Sequence, residues 1–186
     1  MKKGEVKRIL GVDPGTNFLG YAVIEVKKNK ISLLTMGVVT MKKLSSHQLK
    51  LKKIFERLQE IIRGYEPHEM AVEAPFYGKN VQSMLKLGRA QGVAIAAAIT
   101  MDVEMTEYSP KKIKQSVTGN GNASKEQVAA MLVNILGKKL DTKSLDASDA
   151  LAAAVCHHYQ SGNALGTGKK YGSWESFIKD NPKRLK

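Results

Sequence analysis

The chain carries a single cysteine, Cys156, so no internal disulfide can form and a cross-linked scaffold is excluded. Cys156 sits within an apolar run and reads as a small buried residue in a reducing cytoplasm. No run of 18 apolar residues is present, which excludes an ordinary membrane-spanning helix. The first six residues lack the apolar core of a signal peptide and lead directly into an expected strand. Internal repeats and a second-domain boundary are also missing. Acid is the scarcest chemistry: 17 Asp and Glu stand against 30 Lys and Arg, giving +13 and a pI near 9.7. Such an excess favours a polyanionic partner, nucleic acid before an anionic membrane. Acidic residues are absent altogether from 74–101, which holds Lys79, Lys86 and Arg89, and from 109–125, which holds Lys111, Lys112, Lys114 and Lys125.

What is present makes an ordinary folded domain. With 186 residues, 42% apolar and 25% charged, the chain is long and apolar enough to bury a sizeable core. Residues 6–13 and 18–26 read as two apolar strands joined by a tight turn at Pro14-Gly15. Proline fixes φ there, and glycine tolerates the φ > 0 that a side chain resists. After Lys27-Lys28-Asn29-Lys30, residues 31–40 read as a third strand, so a short-loop antiparallel meander is expected. The period then becomes helical over 45–64, with Ser45 or Ser46 as the cap and Gly64 as the stop. Met70-Ala71-Val72 is a short buried strand ending on Glu73, and a strand reached through a helix implies a crossover and a mixed sheet. A long helix over 79–100 contains Gly88 and Gly92, whose cost in helix propensity suggests close packing of another element. A fifth strand near 103–107 and helices over 111–117, 124–136 and 146–159 complete the fold. One domain over 1–160 is expected, with 161–186 as a basic, mobile tail.

Four carboxylates stand out by position. Asp13 and Glu73 each close an apolar strand, and Asp146 and Asp149, three apart, share one face at the start of the last helix. If that helix packs beside strands one and four, the four converge. Converged carboxylates repel unless a cation or shifted pKa values relieve them, and an all-oxygen set suits Mg²⁺ or Mn²⁺. Two such ions are able to orient a water and hold the leaving oxygen of a phosphodiester. Each acid also has a structural reading: an Asx-turn for Asp13, a lysine partner for Glu73, an N-cap and a first-turn charge for Asp146 and Asp149. Directly after Glu73, Phe76-Tyr77-Gly78-Lys79-Asn80 sets an aromatic loop beside the acid. Phe76 is suited either to stack on bases or to plug the core. The loop Gly119-Asn120-Gly121-Asn122 offers backbone amides to a phosphate, a weak signal.

In order and spacing, the blocks GVDPGTNFLGYAVI, AVEAPFYGKNVQSMLKLGRAQGVAIAAA, YSPKKIKQSVTGNGNASKEQV and LDASDALAAAVCH resemble the RuvC family of Holliday-junction resolvases, within the ribonuclease H-like superfamily. The resemblance runs from Ile9 to about His158. It implies an α/β ribonuclease H-like fold, with a mixed five-stranded sheet of three antiparallel strands plus parallel strands, flanked by helices. It implies Asp13, Glu73, Asp146 and Asp149 as catalytic and metal-binding acids, with one or two Mg²⁺ and Mn²⁺ as substitute. Phe76 falls on the aromatic that contacts bases at the branch point, and Lys114 and Lys125 on the catalytic-site lysines. Tyr77, Lys79, Asn80, Arg89 and Lys111 join them as expected DNA contacts. The long small-residue helix is expected near a dimer interface, and Pro75 departs from the family pattern. The implied activity is metal-dependent, paired and symmetric cleavage of four-way DNA junctions by a homodimer, leaving ends that ligase seals. The implied partner is the RuvA–RuvB branch-migration complex, and the implied location is the bacterial cytosol at the nucleoid.

Two rival classes share parts of this pattern. Sugar kinases, heat-shock chaperones and actin have a similar first turn and bind nucleotide phosphates. They need a duplicated half and a later glycine-rich loop, for which 186 residues leave no room. A module that binds branched DNA without cutting would keep the lysines and Phe76 but has no need of converging acids.

Overall fold

The computed structural model describes residues 6–75, 80–138, 140 and 145–163. Strands β1 (Lys7–Asp13), β2 (Phe18–Lys27) and β3 (Lys30–Thr40) form the expected antiparallel meander. Lys28 and Asn29, with φ of 49° and 62°, make a two-residue reversal whose twist matches that of the flanking strands. Helix α1 (His47–Tyr65) crosses to β4 (Glu69–Glu73), parallel to β1, and α2 (Val81–Ile99) leads to β5 (Glu104–Tyr108), parallel to β4. Parallel neighbours require such crossovers, and the resulting sheet order is β3-β2-β1-β4-β5. The mixed five-stranded α/β sheet is therefore present as expected.

Two cores sandwich the sheet, and β1 serves both. Leu10 and Val12 point into a core shared with Ile54, Leu58 and Ile62 of α1 and Ala94 and Ala97 of α2. Ile9 points to the other face, toward Leu151 and Val155 and the helices α3 (Pro110–Thr118), α4 (Lys125–Leu136) and α5 (Leu145–Asn163). Burial on both faces explains why β1 is nearly uniformly apolar rather than alternating. Each of these large aliphatic side chains contributes roughly 1.5–3 kcal/mol on leaving water.

Glycine places α5. A Cβ on Gly11 would come within 2.0 Å of the Ala150 carbonyl oxygen, and one on Gly20 within 2.0 Å of the Asp146 carbonyl oxygen. The alanine-rich helix thus rests directly on the backbone of β1 and β2, which a side chain at either position would prevent.

Several local expectations are corrected. Helix α1 passes through Gly64. Glu66, at φ 47°, caps it and donates its N–H to the Ile62 carbonyl, keeping Tyr65 packed against the core in the last turn. Gly15 does not occupy the left-handed region. Its role is steric, because a Cβ there would meet the Phe18 carbonyl oxygen at 2.1 Å. Among the described residues nothing lies within 4 Å of a Cβ built on Gly88 or Gly92. The close packing in α2 is made instead by Ala90, Ala94, Ala97 and Ala98 on its buried side. Ser46, not Ser45, caps α1, and α5 continues to Asn163, beyond its expected end near 159. The basic tail, from 164 onward, lies outside the described residues.

Candidate active site

Parallel pairing of β1 with β4 sets Val12 opposite Val72, so the next residues, Asp13 and Glu73, emerge side by side at one edge of the sheet. The chain leaves each strand under constraint. After Asp13, the Asn17 carbonyl accepts the Met41 N–H at 2.8 Å. After Glu73, Ala74 donates its N–H to the Tyr108 carbonyl at 2.9 Å. Asp146 and Asp149 occupy the opening turns of α5, where Gly20 lets the helix backbone touch β2 directly opposite Asp13. Carboxylate oxygens of Asp13, Asp146 and Asp149 lie within 4.8 Å of one another. Glu73 stands outside that triad yet close enough that its charge acts on Asp13. Among the described residues Asp13 makes no hydrogen bond to its own turn, which sets the Asx-turn reading aside. Asp146 lies inside the first turn of α5, which starts at Leu145, and so is not the N-cap.

Crowding shows in the titration of these groups. Burial pushes the Asp13 carboxyl from its ordinary 3.8 up to about 8, helped by the charges of Glu73, Asp149 and Asp146 and opposed by Lys125. Burial and the nearby Asp149 push Glu73 up to about 7, with Lys125 and Lys114 pulling the other way. The Lys125 ammonium donates to Asp149 Oδ2. Burial alone would lower the pKa of Lys125, but that hydrogen bond and the charges of Asp149, Asp13 and Asp146 raise it. Two ammoniums, of Lys125 and Lys114, against four carboxyls leave the centre short of positive charge. Its donors are all oxygen, which fits a hard divalent cation.

Of the expected DNA contacts, Lys125 and Lys114 lie close enough for their charges to act on these acids. Lys114 on α3 and Lys125 at the start of α4 flank it on the α5 side of the sheet, while Lys111 on α3 is exposed. Arg89 is exposed on α2, and Asn80 caps that helix, accepting the Ser83 N–H at 3.0 Å. Phe76, Tyr77 and Lys79 lie outside the described residues.

Two contributors escaped the sequence reading. Gly11 and Gly20 seat the acid-bearing helix, and an isolated glycine within an apolar strand is the signal that marks such a close approach. Gln91, only 8% exposed, donates to Glu107 Oε2 at 2.8 Å and lines a cavity of about 130 Å³ with Asp13, Glu73 and Leu87. Its signal is a lone polar residue among the alanines of a buried helix face, a position that demands a hydrogen-bond partner.

A mixed sheet of this order, with acids closing two adjacent parallel strands and a third element supplying the rest, is a ribonuclease H-like fold carrying a carboxylate centre. The family model described as crossover junction endodeoxyribonuclease RuvC matches residues 9–157, and the chain belongs to that family. It is 59% identical over 178 residues to the crossover junction endodeoxyribonuclease RuvC of Cytophaga hutchinsonii, spanning 96% of this chain and 88% of the relative. It is 52% identical over 182 residues to that of Bacteroides fragilis, spanning 97% and 96%. Among solved structures, Thermus thermophilus RuvC in complex with a Holliday junction substrate aligns with a TM-score of 0.78 at 33% identity, covering 83% of this chain and 94% of that one.

Proposed function

We propose that this protein is a crossover junction endodeoxyribonuclease that resolves four-way DNA junctions by metal-dependent phosphodiester hydrolysis. The observation that carries the reading is the convergence of Asp13, Asp146 and Asp149, with Glu73 beside them, at the edge where β1 and β4 end. These four residues are the ones to hold Mg²⁺, with Mn²⁺ as substitute, in one or two ions. A divalent cation bound there supplies a water of lowered pKa and neutralises charge developing on the phosphate. The chain's own residues do the remainder. Lys125 fixes Asp149 and opposes the pKa rise of Asp13 and Glu73, which lowers the cost of ionising them as ligands. Lys114 acts on Glu73 from the same side and is placed to hold a backbone phosphate. Phe76, Tyr77, Lys79, Asn80, Arg89 and Lys111 complete the proposed DNA contacts.

The paired, symmetric cut calls for two copies of the chain, since a two-fold enzyme matches a two-fold substrate. One stripe of α2 supports a homodimer. Val81, Leu85, Gly88, Gly92 and Ile99 recur at spacings that bring them to one side of the helix. Val81, Leu85 and Ile99 are 67, 50 and 61% exposed, and nothing among the described residues covers the glycines. Work alongside a RuvA–RuvB complex in the bacterial cytosol belongs to the same proposal. No helix among the described residues is long and apolar enough to cross a membrane.

The test is an immobile four-way junction incubated with the protein, with and without Mg²⁺ and beside linear duplex of the same sequence. Symmetric nicks near the branch point that require metal are expected. Asp146→Asn should bind the junction and fail to cut it. Tight binding without cleavage across several sequences, with Mn²⁺ also tried, would leave only a junction-binding module.

A further inference from the structure

A second concavity lies on the other side of the sheet edge from Lys114 and Lys125. It is a groove of about 350 Å³ lined by Thr16, Asn17, His47, Lys50, Ser83 and Lys86, with no carboxylate among its walls. Its position follows from the fold. Thr16 and Asn17 belong to the turn that begins at Asp13, His47 opens α1, and Ser83 and Lys86 lie in the first two turns of α2. Both α1 and α2 pack on the face opposite α3, α4 and α5. The groove therefore adjoins the carboxylates from the α1–α2 side.

Four observations characterise what it would accept. Neither α1 nor α2 has an acidic residue in its first turn, so both positive helix ends there are unneutralised. The Lys50 ammonium is fixed at 2.7 Å on Asn17 Oδ1, four residues beyond Asp13, rather than free to swing in solvent. His47 Nε2 is shielded from solvent and has no hydrogen-bond partner among the described residues, an unused polar atom at the groove wall. Finally, burial and the positive charges of Arg89, Lys86 and Lys50 hold the His47 ring below its usual pKa. Hydroxyls, an amide group and lysine ammoniums, one of them fixed, with no acid among them are the chemistry of a phosphate site.

We propose that this groove binds a backbone phosphate of the DNA strand passing through the active site, on the α1–α2 side of the scissile linkage. The inference rests on the nuclease reading above and adds to it a second anchor. With Lys114 and Lys125 on one side of the carboxylates and Lys50 and Lys86 on the other, the strand is held on both sides of the bond to be cut. Two-sided anchoring fixes the position of that bond relative to the four acids, as hydrolysis requires.

Salt-dependent binding of the full-length protein to a fluorescent four-way junction without divalent metal tests the site. Three proteins are compared: wild type, the double variant Lys50→Gln/Lys86→Gln, and the charge-matched control Lys27→Gln/Lys28→Gln at the opposite end of the sheet. The groove variant should lower the slope of log K against log[NaCl] by about 2, and the control should leave it nearly unchanged. Lys50→Arg/Lys86→Arg should restore it, separating lost charge from lost fold. Single methylphosphonate linkages are then stepped along the cleaved strand. One of them should weaken wild-type binding about tenfold while changing binding of the groove variant less than twofold. Equal slopes in the groove and control variants, or methylphosphonate effects identical in wild type and groove variant at every position, would overturn the proposal. Wild-type cleavage with Mg²⁺ would stand in either of those cases, whereas failure of the nuclease reading would show as its absence.

Discussion

The carboxylate centre should make the metal-free protein lose stability as pH rises, and Asp13→Asn should remove most of that loss. The sign follows from the direction of the shift. Burial and neighbouring acids raise Asp13 from 3.8 to about 8, so between these values the folded chain holds a proton that the unfolded chain has released. Stability falls wherever the folded state binds more protons, so the contribution is complete below pH 4, declines through neutrality and levels off above pH 8. Across pH 5 to 9 one unmatched proton over about three units corresponds to about 4 kcal/mol. Asparagine has nearly the same shape and carries no charge at any pH. The stability of Asp13→Asn relative to wild type should therefore grow by about 4 kcal/mol over that range, or about 10 °C in Tm for a chain of this size. Glu73, raised to about 7 by burial and by Asp149 rather than by Asp13, titrates in both proteins and so largely cancels from the difference.

The assay is urea unfolding in EDTA at pH 5, 7 and 9, repeated with saturating Mg²⁺. Without metal the two proteins should diverge as pH rises. With Mg²⁺ the gap at pH 9 should close, because the cation binds the folded wild type and has lost a ligand in the variant. Parallel pH profiles for the two proteins would refute the reasoning, since they would mean that the Asp13 carboxylate is as well solvated in the fold as outside it.

Three further perturbations separate the parts of the site. Gly20→Ala places a Cβ 2.0 Å from the Asp146 carbonyl oxygen, so it should displace the start of α5, cost about 2–3 kcal/mol in urea unfolding and abolish cleavage. Lys125→Met leaves Asp149 without its cation. Single-turnover cleavage should fall about 10²-fold while junction affinity changes only a few-fold. Leu85→Glu, at a half-exposed position on the α2 stripe, should halve the mass found by light scattering without lowering the urea midpoint; an unchanged mass would move the dimer contact elsewhere.

What the sequence disclosed and what it withheld divide along the range of the interactions. Helices α1, α3 and α4 were legible because their caps are local: Ser46, Ser109 and Ser124 each accept a backbone N–H three residues on, and Ser124 forms a full capping box with Gln127. The strand ends at Asp13 and Glu73 were legible because apolar runs stop on a charge. The acids' mutual approach was not, because it depends on parallel pairing of β1 with β4, some 60 residues apart in the chain. The misread glycines show the same division. Gly15 and Gly64 invited local explanations by turn and cap, yet Gly15 is set by the Phe18 carbonyl and Gly64 by nothing but the helix running through it. Gly11 and Gly20 looked like ordinary strand residues, yet they let α5 descend onto the sheet. Asp146 and Asp149 follow from helical spacing; their distance from Asp13 follows from two missing Cβ atoms, on β1 and β2. Geometry at this centre is therefore most sensitive to residues that carry no chemistry. Substitution at Gly11 or Gly20 should disable the site as completely as loss of a carboxylate, and only the structure explains why.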